Sequence, residues 1–304
     1  MDIPRKAYPD DHWLKSDDPE QALQAYMDQQ NKAYSRVKNA FIRELLGDLH
    51  GKLVLDYGCG AGLFTIYAAL QGARRVVAVD AEKSALSTAR YFAAKEGVEG
   101  RCEFVNSDTF PGVHGSGIFD VILMKDVIEH VPDDRGLLKS AAQALVPAGR
   151  LVLSTQNALS LNYLVEGSYH RLFMGDKDWY GWDPTHLRFY TPMSLNRQLV
   201  SAGFRSVKWR SVYLIPYKLP APRSLDRPFL RLDPLSWIDR RLGALFPYNR
   251  LGWNIIVRAD ASPLVPERVT RRSAVRGAFP AEPVLISRES LRIDQETLEV
   301  PFGQ

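Results

Sequence analysis

The chain has 304 residues, of which 45% are hydrophobic and 24% are charged, so it can bury a full hydrophobic core. This composition argues against a wholly disordered chain and a collagen-like repeat, and two cysteines are too few for a disulfide framework or a structural zinc site. The net charge is +4, and the excess of Lys and Arg lies in the C-terminal third, where a solvated surface is a simpler interpretation than a phosphate-bearing partner.

Apolar runs that would mark a membrane span or a leader are missing from the sequence. No stretch of about 18 apolar residues is present, which argues against a membrane-spanning helix. The first residues lead into charged and aromatic positions with no apolar stretch behind them, so the sequence predicts no secretory signal. We therefore expect a cytoplasmic location, where thiols stay reduced.

Two helices are predicted before residue 51. Asp18 followed by Pro19 is typical of a helix start, because Asp caps free backbone N–H groups and Pro fits the first helical position. A second stretch, 34–49, places its apolar residues on one helical face. The residues ahead of Asp18 are polar and show no period, so we interpret them as an arm.

After Gly51 the pattern changes to short apolar runs that alternate with helical patterns. The predicted strands are 53–57, 75–79, 102–105, 119–124, 150–154, 207–215 and 252–258, and the predicted helices are 63–71, 82–96, 134–145 and 192–202. Continuous apolar strands separated by helices are typical of a parallel sheet that is buried on both faces. The sequence therefore predicts a doubly wound α/β domain.

A glycine-rich turn follows the first predicted strand. Gly58, Gly60 and Gly62 occur at alternate positions and a helix opens directly after them, which is the arrangement of a loop that lets a ligand approach the backbone. The dinucleotide fingerprint requires a further glycine at its sixth position, where this chain has Leu63. No Gly-Lys-Ser/Thr follows, which excludes a P-loop.

Two acidic residues accompany this loop. Asp56 lies two residues before the first glycine, where its carboxylate can take up a cationic group or an ordered water. Asp80 ends the second predicted strand, and an acid at that position can accept hydrogen bonds from both hydroxyls of a ribose. The loop and its acids therefore predict a site for a nucleoside.

In these motifs the sequence resembles the class I S-adenosylmethionine-dependent methyltransferases, over roughly residues 34–258. The resemblance rests on the loop 56–62, on Asp80, on the turn 106–109 and on the strand 119–124. It implies S-adenosylmethionine as the cofactor. It also implies a mostly parallel seven-stranded Rossmann-like sheet with helices on both faces and an antiparallel last strand.

The resemblance also implies which residues hold the cofactor. They are Arg36, Asp56, Gly58, Gly60, Asp80, Ala81, Asp108, Thr109 and Lys125. In the family, the residue that matches Asp108 contacts the adenine amino group, and the strand that ends at Lys125 passes the methionine moiety. Arg36 has two interpretations: a partner for the cofactor's carboxylate, or a surface arginine on an amphipathic helix.

The expected domain organisation follows from the same resemblance. Residues 1–50 form an N-terminal arm and helices that cover the cofactor, and 51–259 form the methyltransferase domain. Two insertions, 155–192 and 217–250, interrupt that domain on its acceptor side. Residues 260–304 are interpreted as a loosely attached tail.

The motif after the fourth strand, Asp126 to Asp133, resembles ubiquinone-biosynthesis O-methyltransferases and other bacterial methyltransferases that act on small molecules and glycans. In the quinone enzymes a Glu-x-x-Glu-His pattern can hold a divalent metal. Here Asp126 replaces the first Glu, which shortens its reach, so we expect Glu129 and His130 to orient the substrate side of the pocket and expect no metal.

Two histidines are candidate catalytic bases. His130 belongs to the motif just described, and His186 lies in a segment that resembles an element of bacterial methyltransferases associated with glycan and lipid pathways. An imidazole suits proton removal from an acceptor hydroxyl near neutral pH. The other interpretation of His186 is a structural hydrogen bond.

The two insertions are expected to form the acceptor pocket, because the chain that leaves the fifth strand must pass over the methyl donor. The predicted lining is aromatic: Trp179, Tyr180, Trp182 and Tyr190. An amphipathic pattern in the second insertion has two interpretations, a lid over the site or peripheral membrane contact through 222–246 that admits a lipid-linked acceptor.

The sequence thus predicts methyl transfer to a hydroxyl of a small-molecule, quinone-like or sugar acceptor, free or linked to a lipid or glycan. N-methylation and a non-catalytic cofactor-binding relative remain as alternatives. Nucleic acid is not an expected partner, because residues 125–128 lack both the Pro-Pro-Tyr element and the Pro-Cys nucleophile of the nucleic-acid enzymes.

Overall fold

The computed structural model has a central sheet of seven strands. It describes residues 12–110, 112–113, 117–177, 179, 183, 185–215, 218–220, 229–262 and 285–286. In chain order the strands are β1 (Leu53–Tyr57), β2 (Arg75–Asp80), β3 (Cys102–Asn106), β4 (Phe119–Lys125), β5 (Leu145–Gln156), β6 (Phe204–Val212) and β7 (Asn254–Ala261). Their order across the sheet is β3-β2-β1-β4-β5-β7-β6.

The direction of the strands confirms the predicted fold class. β1 to β5 pair in parallel, whereas β7 lies antiparallel between β5 and β6. The predicted strand 207–215 corresponds to β6, which ends at Val212. The chain is a mostly parallel, Rossmann-like sheet with an antiparallel last strand.

Eight α-helices lie within the described ranges. They are α1 (Pro19–Gln30), α2 (Ala33–Leu46), α3 (Leu63–Leu70), α4 (Lys83–Lys95), α5 (Asp134–Ala144), α6 (Leu161–Phe173), α7 (Pro192–Ser201) and α8 (Ser236–Leu242). Short ladders join Lys218–Pro220 to Phe229–Arg231 and Gly112–Val113 to Leu285–Ile286. In the described part of the chain, every helix is too short or too polar to cross a membrane.

The start of α1 follows the capping chemistry that the sequence predicts, and the start of α7 is capped as well. The side chain of Asp18 accepts a hydrogen bond from the backbone N–H of Glu20 at 2.9 Å, and Pro19 opens α1. At α7, Thr191 and Ser194 form a capping box in which each side chain bonds the backbone of the other.

The sheet separates two hydrophobic cores. In β1, Val54 faces the core that contains Ile66 of α3, together with α2 and α4. Its neighbour Leu55 faces the opposite core, which contains Leu138 of α5 and Leu195 of α7. Both residues are buried because successive side chains of a strand point to opposite faces, so the predicted burial on two faces is confirmed.

The strand order places the functional side chains at one edge of the sheet. From β1 the chain continues to β2 and β3 on one side, whereas β4 and β5 lie on the other, so the order reverses between β1 and β4. Ligands of open α/β sheets bind beyond the carboxyl ends of the strands at such a reversal. Asp80 is the last residue of β2, and Gly58 and Asp126 directly follow the last residues of β1 and β4.

The insertions differ most from the prediction. Residues 155–192 contain α6, which the sequence analysis did not assign, and the helix in the second insertion is limited to α8. Several predicted features lie outside the described residues: Tyr180, Trp182, residues 221–228 and most of the tail.

Candidate functional site

The glycine loop after β1 requires glycine for two reasons. Gly58, Gly60 and Gly62 all have positive φ angles, of +76°, +55° and +84°. A Cβ on Gly58 would lie 2.4 Å from Cγ2 of Val127, so the loop packs directly against the segment after β4. A Cβ on Gly60 would meet nothing within 4 Å, so the backbone of the loop faces open space.

Asp80 organises this loop from the end of β2. One carboxylate oxygen accepts the N–H of Gly60 at 2.8 Å, and the other accepts the N–H of Glu82 at 2.9 Å. Asn106 donates to the backbone carbonyls of Asp80 and Ala81, which fixes the turn. Burial raises the pKa of Asp80. The predicted ribose acid therefore lies beside the glycine loop.

Asp56 is buried at the end of β1 and faces α3. Its Oδ2 accepts a hydrogen bond from the hydroxyl of Thr65 at 2.7 Å, which ties β1 to the helix after the loop. Burial raises the pKa of Asp56 to about 6, although the Thr65 hydrogen bond and the charge of Lys125 act in the opposite direction.

Lys125 closes β4 and reaches toward the N-terminal helices. Its Nζ donates to Oε1 of Gln30 at 3.3 Å and lies 5.6 Å from the ring centre of Phe64. Burial, and to a smaller extent the charge of Lys38, lower the pKa of Lys125 to about 8. A lysine at this strand end thus connects the sheet edge to α1.

The N-terminal helices cover the same edge of the sheet. Tyr26 of α1 is buried and packs edge-on against Trp13, with ring centres 5.1 Å apart. Burial, followed by the negative charge of Asp56, raises the pKa of Tyr26 above its ordinary range. Its phenol therefore lies close to the acids of the cofactor side.

The other predicted cofactor residues are more open. The side chains of Asp108 and Thr109 are exposed, and the carbonyl of Asp108 accepts a hydrogen bond from the hydroxyl of Tyr57 at 3.4 Å. Arg36 is exposed on α2, whereas Lys38 of the same helix is buried in the site. Cofactor contacts of all three residues stay predictions.

Asp126 is partly exposed and is held by three partners. It forms an ion pair with Lys38, and its Oδ1 accepts hydrogen bonds from Ser154 at 3.0 Å and from Asn254 at 3.1 Å. Burial acts to raise the pKa of Asp126, but the ammonium groups of Lys38 and Lys125 outweigh it and lower this pKa. Its φ of +55° is unusual for a residue other than glycine.

Glu129 is completely buried beside Asp126. Its Oε2 accepts the hydroxyl of Thr155 at 2.9 Å, and its Oε1 has no hydrogen-bond partner among the described residues. Burial and then the charge of Asp126 raise the pKa of Glu129 to about 8. The carboxyl group is therefore mainly protonated at neutral pH.

The structure brings the two predicted bases together. The imidazole rings of His130 and His186 have centres 4.7 Å apart. Nδ1 of His130 lies 3.2 Å from both the carbonyl and the hydroxyl oxygen of Thr185, and Nε2 of His186 lies 3.8 Å from a carboxylate oxygen of Asp183. A loop between α6 and α7 therefore orients both rings.

The metal pattern of the quinone enzymes is altered in this chain. Asp126 forms an ion pair with Lys38, so it does not form a set of metal ligands with Glu129 and His130. Instead, one donor atom each from Glu129, His130 and His186 lies within 4.8 Å of the others, a grouping found once among the described residues. Two imidazoles and a carboxylate suit a divalent transition metal, so the expectation of no metal stays a prediction.

Aromatic residues connect α6 to this pair of histidines. The ring of Tyr163 packs against Trp179 at 5.6 Å and against Phe189 at 4.8 Å, and Phe189 packs edge-on against His186 at 5.6 Å. These contacts form an apolar wall beside His186, and Trp179 is one of the residues predicted to line the acceptor pocket, which stays a prediction.

Tyr190 does not belong to that wall, contrary to the prediction. Its ring is buried in the core with α5 and α7, and its hydroxyl donates to Asp134 at 2.7 Å. Arg188 also reaches back and donates to the carbonyl of Val131 at 2.6 Å. Both residues fasten the loop to the sheet rather than line a pocket.

Sequence reasoning predicted that the N-terminal helices cover the cofactor, but it did not identify which of their side chains reach the site. Tyr26, Gln30 and Lys38 reach the site from α1 and α2, and Asn254 reaches it from β7. The one available signal was a lysine beside Val37 on the apolar face of the second predicted helix, and a single charged residue there is usually solvated.

A glycine loop after β1, an acid at the end of β2 and a reversal of strand order between β1 and β4 define a nucleoside-binding α/β fold, and a seven-stranded sheet that ends in antiparallel strands is the form this fold takes in class I S-adenosylmethionine-dependent methyltransferases. A family model described as a methyltransferase domain matches residues 26–208, and the chain belongs to this family. S-adenosylmethionine is therefore its cofactor, and the open backbone at Gly60 and the acid Asp80 fit that group.

Known proteins similar to this chain agree with that assignment. The ubiquinone biosynthesis O-methyltransferase of Idiomarina loihiensis is 31% identical over 188 residues, covering 60% of this chain and 73% of the relative. The enzyme of the same name from Aeromonas salmonicida is 31% identical over 185 residues, covering 59% and 74%.

Solved structures support the fold. A methyltransferase from Mesorhizobium loti superimposes with a TM-score of 0.50 at 18% identity, covering 74% of this chain and 97% of that one. One from Aquifex aeolicus gives a TM-score of 0.50 at 16% identity, covering 81% and 100%. Both are described as S-adenosylmethionine-dependent.

Proposed function

We propose that this methyltransferase transfers its methyl group to a hydroxyl of a small-molecule, quinone-like or sugar acceptor. The observation that carries the proposal is the cluster of His130, His186 and Glu129 beyond the end of β4. The similar ubiquinone biosynthesis O-methyltransferases add support, because their name specifies methylation on oxygen.

Transfer to a hydroxyl needs a group that accepts its proton, and His130 is arranged for that role. When Nδ1 of the neutral ring donates to the carbonyl of Thr185, Nε2 carries the lone pair. Glu129, mainly protonated at neutral pH, adds no competing negative charge beside the ring. His186, whose ring is tilted by 59° against that of His130, is the second candidate for the same task.

For the methyl transfer itself, the protein mainly positions the acceptor. S-adenosylmethionine supplies an electrophilic methyl group on a sulfonium centre, so the protein needs to align the acceptor and keep water out. Asp80 and the glycine loop would hold the nucleoside part, and the aromatic wall of Tyr163, Phe189 and Trp179 would exclude water on the acceptor side.

The test is mass spectrometry of acceptor candidates, catechols, phenols and sugars, incubated with the enzyme and isotopically labelled S-adenosylmethionine. We expect the label on oxygen. A product labelled on nitrogen or carbon overturns the proposal, and a protein that binds the cofactor without any turnover would be the non-catalytic relative.

Substitutions separate the role of the histidines. His130→Gln and His186→Gln are compared with His50→Gln, which changes an exposed histidine outside the cluster. We expect loss of the base to lower kcat by about 10²- to 10⁴-fold with little change in cofactor affinity, and His50→Gln to be neutral. Equal kcat in all three variants would remove both histidines from the chemistry.

A chelator tests the alternative use of the same cluster. If the histidines act as bases, dialysis against EDTA leaves turnover unchanged. Activity that is lost on dialysis and restored by a divalent cation would instead assign Glu129, His130 and His186 to a metal.

A further inference from the structure

The amphipathic pattern of α6 is inverted with respect to the protein. Six large apolar side chains follow helical spacing along one stripe and are between 50% and 78% exposed. They are Leu161, Leu164, Val165, Tyr169, Leu172 and Phe173. A helix of a globular protein normally turns such a stripe toward the core, and contiguous exposed patches mark an interaction surface.

The inner face of α6 explains why the stripe points outward. Asn162 donates to the carbonyl of Tyr213 at 2.8 Å, and Arg171 donates to the carbonyl of Trp179 at 3.2 Å. A Cβ on Gly167 would lie 2.9 Å from the ring of Trp179, so the inner face approaches closely there. Polar residues, Gly167 and the ring of Tyr163 therefore hold the helix, and its other large apolar side chains face away from the protein.

A second exposed element lies next to α6. Asp239 of α8 accepts the backbone N–H groups of Tyr213 and Leu214, so α6 and α8 are fixed to the same turn. After this turn, Ile215 is exposed, and in α8 Trp237 is exposed as well. The two helices therefore offer apolar and aromatic side chains around one turn.

The positive charge of α8 favours an anionic partner. Arg240 and Arg241 are exposed, whereas Asp239, the single acid between residues 236 and 253, is buried. Exposed aromatic and aliphatic residues beside exposed arginines are typical of elements that lie in the headgroup region of an anionic bilayer. A second copy of this chain would bring the same arginines of both copies close together.

We propose that the stripe of α6, together with Trp237, Arg240 and Arg241 of α8, docks this protein on an anionic membrane surface. The docked face adjoins the acceptor side, because Tyr163 on the inner face of α6 contacts Phe189, which contacts His186. This functional consequence rests on the proposed O-methylation and specifies its acceptor as one held in or at a lipid surface.

The proposed surface overlaps the one that the sequence pattern indicated only in α8, whose Trp237, Arg240 and Arg241 lie within 222–246. The sequence placed peripheral contact within 222–246, but Ile238 and Leu242 of that pattern are half-buried against the protein. The larger share of the exposed apolar residues belongs to α6, where no membrane contact was predicted.

The experiment is flotation of the full chain with vesicles of phosphatidylcholine alone and of phosphatidylcholine with about 30 mol% phosphatidylglycerol. We expect binding to the anionic vesicles to be at least about tenfold stronger, and to fall in about 0.5 M NaCl. Absence of binding to the anionic vesicles overturns the proposal, whatever the protein methylates.

Matched variants locate the surface. Leu172→Glu with Phe173→Glu should lower the vesicle partition coefficient by about tenfold or more. Met193→Glu with Val200→Glu changes two residues of α7 with comparable exposure, 62% and 58%, and should have no effect. Equal losses in both pairs would contradict docking through α6.

The arginines give an independent arm if the α6 variant does not fold. Arg240→Ala with Arg241→Ala should weaken binding to anionic vesicles about tenfold and leave binding to phosphatidylcholine unchanged, while Arg135→Ala with Arg197→Ala should do neither. Unaltered binding of the first pair contradicts the proposal. The proposal is also contradicted if the wild-type protein does not bind vesicles and light scattering shows that it is a dimer, whereas the α6 variant is a monomer.

This experiment is separate from the test of methylation, because vesicle binding needs no turnover. Calorimetric titration with S-adenosylmethionine checks that each variant retains its cofactor site. A protein that binds vesicles but methylates nitrogen would support the docking surface and contradict the proposed function. A protein that methylates oxygen but does not bind anionic vesicles would support the proposed function and contradict the docking surface.

Discussion

Single residues decide how the acceptor side is assembled, and the pair Lys38 and Asp126 is the clearest case. Lys38 comes from α2 and Asp126 follows β4, and the two side chains meet in a largely buried position. Ser154 and Asn254 satisfy the second carboxylate oxygen. Because a charge in this environment needs its partner, removing one member leaves the other uncompensated.

Lys38→Met is expected to lower the free energy of unfolding by about 3 kcal/mol, because it leaves the Asp126 carboxylate without its cation. Urea denaturation measures the loss. Lys38→Met combined with Asp126→Asn removes both charges and should recover part of it. Purely additive effects in this double-mutant cycle would show that the pair is not coupled.

Asp80→Ala should weaken S-adenosylmethionine binding by about tenfold or more, because both the ribose contacts and the hydrogen bond to Gly60 are lost. Isothermal titration calorimetry measures the affinity. Asp120→Ala is the matched control, since Asp120 also accepts a backbone N–H, that of Leu53, but at the opposite edge of the sheet. Unchanged affinity in Asp80→Ala would refute the assignment.

At the scale of elements, α6 and α7 show opposite relations between sequence pattern and packing. α7, which the sequence predicts as a helix over 192–202, buries Leu195 and Leu199 in the core and begins with a capping box. α6 buries Asn162 and Tyr163 and exposes its larger apolar residues. The composition of α6 therefore fits the proposed docking surface better than a place in the core.

Thr191→Ala should lower the free energy of unfolding by about 1 kcal/mol, because the N–H of Ser194 loses its side-chain acceptor at the start of α7. The control at the other end of the helix is Ser201→Ala, which removes an exposed hydroxyl bonded to the carbonyl of Gln198. Urea denaturation compares the two, and equal stability of both variants would contradict a role for the cap.

For the whole molecule, buried carboxyl groups at the carboxyl edge of the sheet determine how stability depends on pH. Burial raises the pKa of Asp56 and of Asp239 to about 6 and, with the charge of Asp126, that of Glu129 to about 8. Each group keeps its proton in the folded protein over a range where the unfolded chain has lost it. Stability is therefore greatest below the unfolded pKa values and falls as pH rises through the folded ones.

The cofactor-free protein is thus expected to lose stability between about pH 5 and pH 8, and Glu129 alone of these three carboxyls acts in the upper part of that window. Glu129→Gln keeps a neutral side chain of the same shape and should flatten the slope between pH 6 and pH 8. Urea denaturation as a function of pH measures the slope, and parallel curves for the two proteins would contradict the raised pKa.

The sequence alone determined the sheet and the cofactor side. The strands are apolar enough to be buried on two faces, and the loop at Gly58 requires glycine by local geometry, so both follow from short segments. The position of Asp80 beside the loop could be predicted for the same reason, since it lies at the end of the neighbouring strand, whereas its contact with the cofactor stays a prediction.

Only the tertiary structure decided what meets across long separations in the chain. The contact of Lys38 with Asp126, the approach of His186 to His130 and the outward stripe of α6 have no local signature. Each depends on how helices dock on the sheet, because the same lysine, histidine or leucine is compatible with a solvated or a buried position until its neighbours are known. Periodicity finds an apolar face, but the packing of the inner residues determines whether that face points to the core or to a partner.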